Sequence, residues 1–121
     1  MPIKNILIID DSETDRQHLT DMLVKNGYQV FGADSAVDGI TKARQLKPDL
    51  VVMDVVMPGQ NGFQATRALT RDEETKDIPV IICSSKGQET DKVWGLRQGA
   101  RDYVVKPIRQ DDLLSKISAL G

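Results

Sequence analysis

The chain reads as a doubly wound α/β domain, a five-stranded parallel sheet with helices on both faces, and three observations predict it. Short apolar runs alternate with longer helical patterns in the order βαβαβαβαβα. The runs are apolar throughout rather than at every second residue, as strands covered on both faces require. Several of them hand over to Asp, Ser or Lys at their C-terminal ends, the edge of such a sheet where ligands bind.

Taken in order, "ILII" (6–9) is the first strand, and it breaks into Asp10 and Asp11. "ETDRQHLTDMLVKNG" then puts Leu19, Met22 and Leu23 on one helical face and stops at Lys25–Asn26–Gly27. "YQVFGA" (28–33) is the second strand. Ser35 is an N-cap for a second helix that carries Ile40, Ala43 and Leu46 inward. That helix ends at "KPD", because the residue before Pro48 resists helical geometry. "LVVMD" (50–54) is the third strand, followed by a helix from about Gly62 into the early seventies with Phe63, Ala65 and Leu69 facing in. "PVIICS" (79–84) is the fourth strand, and a helix follows "SSKGQ". "YVVK" (103–106) and "QDDLLSKISAL" supply the last strand and helix.

With 121 residues the chain suits one domain with one sizeable core. Sixteen Lys and Arg against eighteen Asp and Glu give a net charge of -2, which argues against broad binding to nucleic acid or an anionic membrane. The single cysteine, Cys83, cannot form an internal disulfide and reads as a small core residue. No stretch approaches the roughly 20 apolar residues of a membrane span, and "MPIKNILIID" lacks the layout of a secretory signal. A soluble cytoplasmic protein is expected.

Two adjacent carboxylates at the mouth of a core need either a turn or a cation to explain them. If strands one, three, four and five are neighbours, Asp10 and Asp11 converge with Asp54, Ser84 and Lys106. Three carboxylates and an ammonium suit Mg²⁺, which takes oxygen ligands and tolerates phosphate oxygens beside them. A carboxylate can also attack phosphorus to form an aspartyl phosphate, with the metal and the ammonium neutralising the transferring group. A hydroxyl such as Ser84 could donate to another phosphoryl oxygen. In "VVMPGQNG", Pro58, Gly59 and Gly62 sharpen the turn and leave the Val56 carbonyl free to reach the metal.

The acidic pair in "IIDDS", Asp54 in "VVMDVVMPGQNG", Ser84–Ser85 in "PVIICSSKG" and Lys106–Pro107 in "GARDYVVKP" together resemble the receiver domain of CheY-like two-component response regulators, over essentially the whole of 1–121. The resemblance implies a flavodoxin-like (βα)5 fold and phosphorylation by a histidine kinase of the CheA-like kind, with no enzymatic activity beyond slow self-dephosphorylation. It implies Asp54 as phosphoacceptor and Asp11, Asp54 and the Val56 carbonyl as direct Mg²⁺ ligands, with Asp10 acting through water. Lys106 and Ser84 would contact the phosphoryl group, and Tyr103 would be an aromatic switch. A rotation of Ser84 toward the phosphoryl group would open space into which Tyr103 swings. The output face would be that of the fourth helix, fifth strand and fifth helix, with Lys92, Leu96, Tyr103 and Asp112, and Lys92 could pair with Asp112. Ser84 departs from the family's commoner threonine, keeping the hydroxyl without the methyl. Val56 and Lys86, two places after Asp54 and Ser84, flank the path of the hydrolytic water in the family. "GFQATRALTRD" and "SSKGQETDKVWGLRQGARDYVVKP" further resemble the stand-alone PilH-like receivers of type IV pilus chemosensory clusters, and receivers of cyanobacterial phototaxis.

Simpler readings stand beside these. His18 is expected to face solvent, and Trp94 either packs on a neighbouring helix or anchors a partner. A small α/β phosphatase could use a similar crevice, but the chain has neither a P-loop signature nor the Asp-x-Asp of haloacid-dehalogenase-like hydrolases after the first strand. No output domain is expected after the fifth helix, so output would be protein contact or storage of phosphate drawn from a shared kinase.

Overall fold

A computed structural model describes residues 2–57, 59 and 61–120. The elements run β1 (Asn5–Ile9), α1 (Glu13–Lys25), β2 (Gln29–Ala33), α2 (Ala36–Leu46), β3 (Leu50–Met53), α3 (Gly62–Arg71), β4 (Val80–Ser84), α4 (Glu89–Arg97), β5 (Asp102–Val105) and α5 (Gln110–Leu120). All strand pairs are parallel and the order is β2-β1-β3-β4-β5. This is the flavodoxin-like (βα)5 arrangement. Strand order reverses between β1 and β3, so the C-terminal ends of β1 and β3 flank the crevice where such sheets bind ligands.

Alternation along the strands divides the core between the two faces. Ile6, Ile8, Leu50, Val52, Ile81 and Cys83 pack on α1 and α5 through Leu19, Leu23, Leu113 and Ile117. Leu7, Ile9, Val51, Met53 and Ile82 pack on the other face with Ala43 of α2 and Ala65 and Leu69 of α3. Both sets are buried, which is why the strand sequences are apolar at every position.

Local signals set the helix ends. Ser12 caps α1 by accepting from the Asp15 amide at 3.2 Å, and Ser35 caps α2 by accepting from Asp38 at 3.1 Å. Asn61 and Gln64 form a reciprocal capping box on α3. Leu46 does not turn inward as its spacing predicts; it sits 42% exposed at the last turn of α2. The helix is unwinding there, and Lys47 leaves it with φ 48, a left-handed cap ahead of Pro48.

Candidate functional site

The site is assembled by chain reversals at the ends of β1, β3 and β5. At the end of β1, Asp10 keeps its amide on the Ala33 carbonyl at 3.0 Å and turns its side chain under the chain. Its Oδ1 accepts from the Ser12 amide at 2.9 Å, and its Oδ2 accepts from Lys106 Nζ at 3.0 Å. Asp11 projects outward. The pair sits just ahead of the N-terminus of α1, whose unpaired amides favour negative charge.

Asp54 follows β3, with its amide on the Ile9 carbonyl at 2.9 Å, so β1 and β3 carry their carboxylates side by side. Gly62 is required behind it: a Cβ there would land on the Asp54 carbonyl oxygen. The Gly62 amide donates to the Val55 carbonyl at 3.0 Å, docking the start of α3 on the backbone next to Asp54. Pro58, expected to stiffen this loop, lies outside the described residues.

Oxygens of Asp10, Asp11 and Asp54 all lie within 4.8 Å of one another. Asp10 and Asp54 are buried while Asp11 is exposed. Burial pushes the Asp54 carboxyl up to about 6; Lys106 pulls it down, and Asp10 pushes it up again. Lys106 stands 3.9 Å from Asp54 Oδ1. Burial pulls its ammonium down, but hydrogen bonds to Asp15 and Asp10 and the charge of Asp54 outweigh this and hold it above the ordinary lysine range. One ammonium among these carboxylates leaves negative charge uncompensated. A bound divalent cation would supply the missing charge, and the all-oxygen donor set suits a hard one.

Chain-wide comparison now decides the family. The model of the response regulator receiver domain matches residues 6–118. The chain belongs to the response regulator receiver domain family. This receiver is 61% identical to the PilH protein of Pseudomonas aeruginosa over 115 residues, 95% of each chain. It is 37% identical to the phosphate regulon regulator PhoB of the same organism, of which it spans 51%. Its fold superposes on the chemotaxis protein CheY4 of Vibrio cholerae with a TM-score of 0.91 at 27% identity, covering 98% of this chain and 99% of that one. It is thus a PilH-like receiver, and the family is not one of catalytic enzymes. A receiver implies a histidine kinase as partner.

Ser84 is fully buried at the end of β4, its Oγ accepting from the Lys86 amide at 3.2 Å, and its carbonyl accepts from the Lys106 amide at 2.8 Å. Val56 is 52% exposed beside Asp54, and among the described residues no backbone donor takes its carbonyl. Tyr103 already lies inside the fold, 7% exposed, with its hydroxyl donating to the Lys86 carbonyl at 2.6 Å. An inward swing is therefore not the starting motion here. Lys92 and Asp112 are not paired; Asp112 binds Lys116 at 2.8 Å, one turn along its own helix. Leu96 is 48% exposed and Trp94 is 49% exposed, so Trp94 is not packed away against a neighbouring helix. His18 is exposed, as expected. Cys83 is buried and its thiol is pushed up to about 12 by desolvation, which keeps it inert.

Two residues escaped the sequence reading. Asp15 binds Lys106 at 2.9 Å, and Arg16 Nη1 donates to the Asp10 carbonyl at 2.7 Å. For the first the signal was slight: Asp15 is one of two acidic residues in the first turn of α1, just after the acidic pair in the chain. A backbone contact such as that of Arg16 leaves no trace in residue pattern.

Proposed function

We propose that this receiver accepts a phosphoryl group on Asp54 from a CheA-like histidine kinase in a Mg²⁺-dependent reaction, and that it signals by protein contact in pilus-based motility. The observation carrying the proposal is the cluster of Asp10, Asp11 and Asp54 with Lys106 beside it. The pilus assignment rests on the similarity to PilH and on the PilH-like stretches of the sequence. The cytoplasm, where such a kinase presents its phosphohistidine, is the proposed location.

Asp54 is the nucleophile. One of its carboxylate oxygens attacks phosphorus, the phosphorus–nitrogen bond to the kinase imidazole breaks, and its electron pair stays on the imidazole nitrogen. The product is an acyl phosphate on Asp54. Asp11, Asp54 and the Val56 carbonyl would hold Mg²⁺ directly and Asp10 through water; when bound it neutralises charge on the phosphoryl oxygens. Lys106 presents its ammonium toward Asp54 and offsets the same charge. Ser84 turns its hydroxyl to the phosphoryl group, giving up the Lys86 amide, and so loosens the loop that Tyr103 holds. The face of α4, β5 and α5, with Lys92, Leu96, Tyr103 and Asp112, then meets the downstream protein.

Incubation with acetyl phosphate and Mg²⁺ tests this. One phosphoryl group should be incorporated per chain, lost slowly, with none on Asp54→Asn. Full labelling of that variant refutes the assignment, and rapid catalytic turnover of the donor points to a phosphatase instead. If phosphorylation changes neither partner affinity nor amide exchange across residues 86–112, the protein serves as a phosphate sink.

A further inference from the structure

We infer that Arg16 is a positioning residue for the cation site: its guanidinium fixes the Asp10–Asp11 peptide, and this holds the exposed Asp11 carboxylate beside Asp10 and Asp54. The inference rests on the Mg²⁺ reading above and deepens it.

Asp10 is constrained at every polar atom. Its amide is on Ala33, and its two carboxylate oxygens are on the Ser12 amide and on Lys106. Asp11 is constrained at none, since its carboxylate is exposed and accepts no hydrogen bond from the described residues. A free surface carboxylate next to two others gains by turning away into water, because like charges repel and water solvates it well. Yet its oxygen lies within 4.8 Å of theirs. What limits it is its backbone. The ladder of β1 has ended at Ile9, and the next carbonyl, that of Asp10, is taken by Arg16 Nη1 at 2.7 Å. That oxygen belongs to the peptide plane leading into Asp11. A short bond from a charged donor is strong enough to orient the plane.

A second, separate feature points the same way. Gly32 lies inside β2, paired with Ile8, where a glycine weakens a strand unless something must pass close by. A Cβ on Gly32 would stand 3.2 Å from Arg16 Cδ and 3.5 Å from its Nε. The strand is bare where the arginine stem crosses it on the way to Asp10. Arg16 and Gly32 thus form one device, a cationic arm and the gap that admits it.

The test is a Mg²⁺ titration of the full chain with no phosphodonor, followed by the ¹⁵N amide resonances of Asp11, Asp54 and Val55. Arg16→Met keeps the stem and loses the donor, and it should weaken Mg²⁺ about tenfold, the low end for residues that orient metal ligands. Arg16→Lys should recover part of the loss. Gly32→Ala keeps Arg16 but crowds its stem, and it should also weaken Mg²⁺. A lowered melting temperature with unchanged Mg²⁺ affinity in Arg16→Met and Gly32→Ala shows a merely structural arginine and overturns the inference. Tighter Mg²⁺ binding by Arg16→Met overturns it too, because the guanidinium would then act only as a repelling charge. If the wild-type chain fails to bind Mg²⁺, the reading of the site falls together with the inference.

Discussion

Replacing Asp54 by Asn should make the metal-free protein more stable at neutral pH while abolishing its phosphorylation. The folded carboxyl titrates at about 6 against 3.8 for an ordinary aspartate, with burial the first cause and Asp10 a further one. The folded chain therefore binds this proton more tightly than the unfolded chain, so stability falls as pH rises between those values. The deficit is complete above pH 6 and absent below the unfolded value. A gap of about 2 pH units corresponds to a ceiling of about 3 kcal/mol. Solvent at the crevice mouth reduces it, and about 1–2 kcal/mol is expected in practice. Asn keeps the shape and an oxygen for the Val55 amide, which donates at 2.8 Å in the wild type, so little is lost in exchange. In a chain of this size the gain corresponds to a rise in melting temperature of about 4–8 °C. The assay is thermal or urea unfolding in a chelator at pH 7.5 and pH 5. Asp54→Asn should exceed wild type at pH 7.5, and its advantage should be roughly halved at pH 5, which still lies above the unfolded value. Added Mg²⁺ should close the gap at pH 7.5, because it binds the wild-type fold better. A variant less stable than wild type at pH 7.5, or a difference that does not shrink on acidification, refutes the reasoning.

Four other perturbations bear on separate parts of the site. Gly62→Ala forces a Cβ onto the Asp54 carbonyl and should cost about 1–3 kcal/mol by overpacking, with loss of Mg²⁺ binding seen in the same titration. Tyr103→Phe removes the bond to the Lys86 carbonyl, so it should cost about 1 kcal/mol and speed amide exchange across residues 84–90; unchanged exchange would mean the bond does not restrain the loop. Val56→Asn should shorten the phosphoryl lifetime, because an exposed amide beside Asp54 can orient the attacking water where an isopropyl group cannot, and loss of label with time measures it. Leu96→Asp changes an exposed position, so it should leave stability within about 0.5 kcal/mol and phosphorylation intact while abolishing partner binding in a pull-down or titration.

The strands and most helix faces were legible in the sequence because a residue's period and its burial obey the same geometry. Leu19, Met22 and Leu23 fall on the buried side of α1, and Ile8 and Val52 on the sheet, as their spacing requires. Leu46 misled because periodicity carries no information on where the last helical turn opens. The convergence of Asp10, Asp54 and Lys106 was legible for a topological reason: a parallel sheet places its strand ends on one edge, whatever the spacing between them in the chain. Contacts that depend on backbone atoms or on rotamers were not legible. The arm of Arg16, the inward ring of Tyr103, and the choice of Asp112 for Lys116 over Lys92 all belong to this class.

The route from the crevice to the surface is short, and its parts have different strengths. Ser84 and Lys106 are joined through their backbones, the Lys106 amide donating to the Ser84 carbonyl at 2.8 Å, so the two proposed phosphoryl contacts are held close together. The β4–α4 connection is held by two hydrogen bonds, from the Lys86 amide to Ser84 Oγ at 3.2 Å and from the Tyr103 hydroxyl to the Lys86 carbonyl at 2.6 Å. Beyond it, α4 has only one buried residue, Gly95, whose missing side chain lets the helix sit against Ile82 and the ring of Tyr103. Its other end is tied as well, with the Thr70 hydroxyl donating to the Gln98 carbonyl at 2.7 Å. If Ser84 leaves the Lys86 amide for a phosphoryl oxygen, as proposed, one of the two hydrogen bonds on Lys86 is lost. The side chains that ride on α4, Val93, Trp94 and Leu96, are the large apolar groups exposed there. Under the proposed function, a phosphoryl group on Asp54 would thereby reach these exposed groups through a ring that already lies inside the fold.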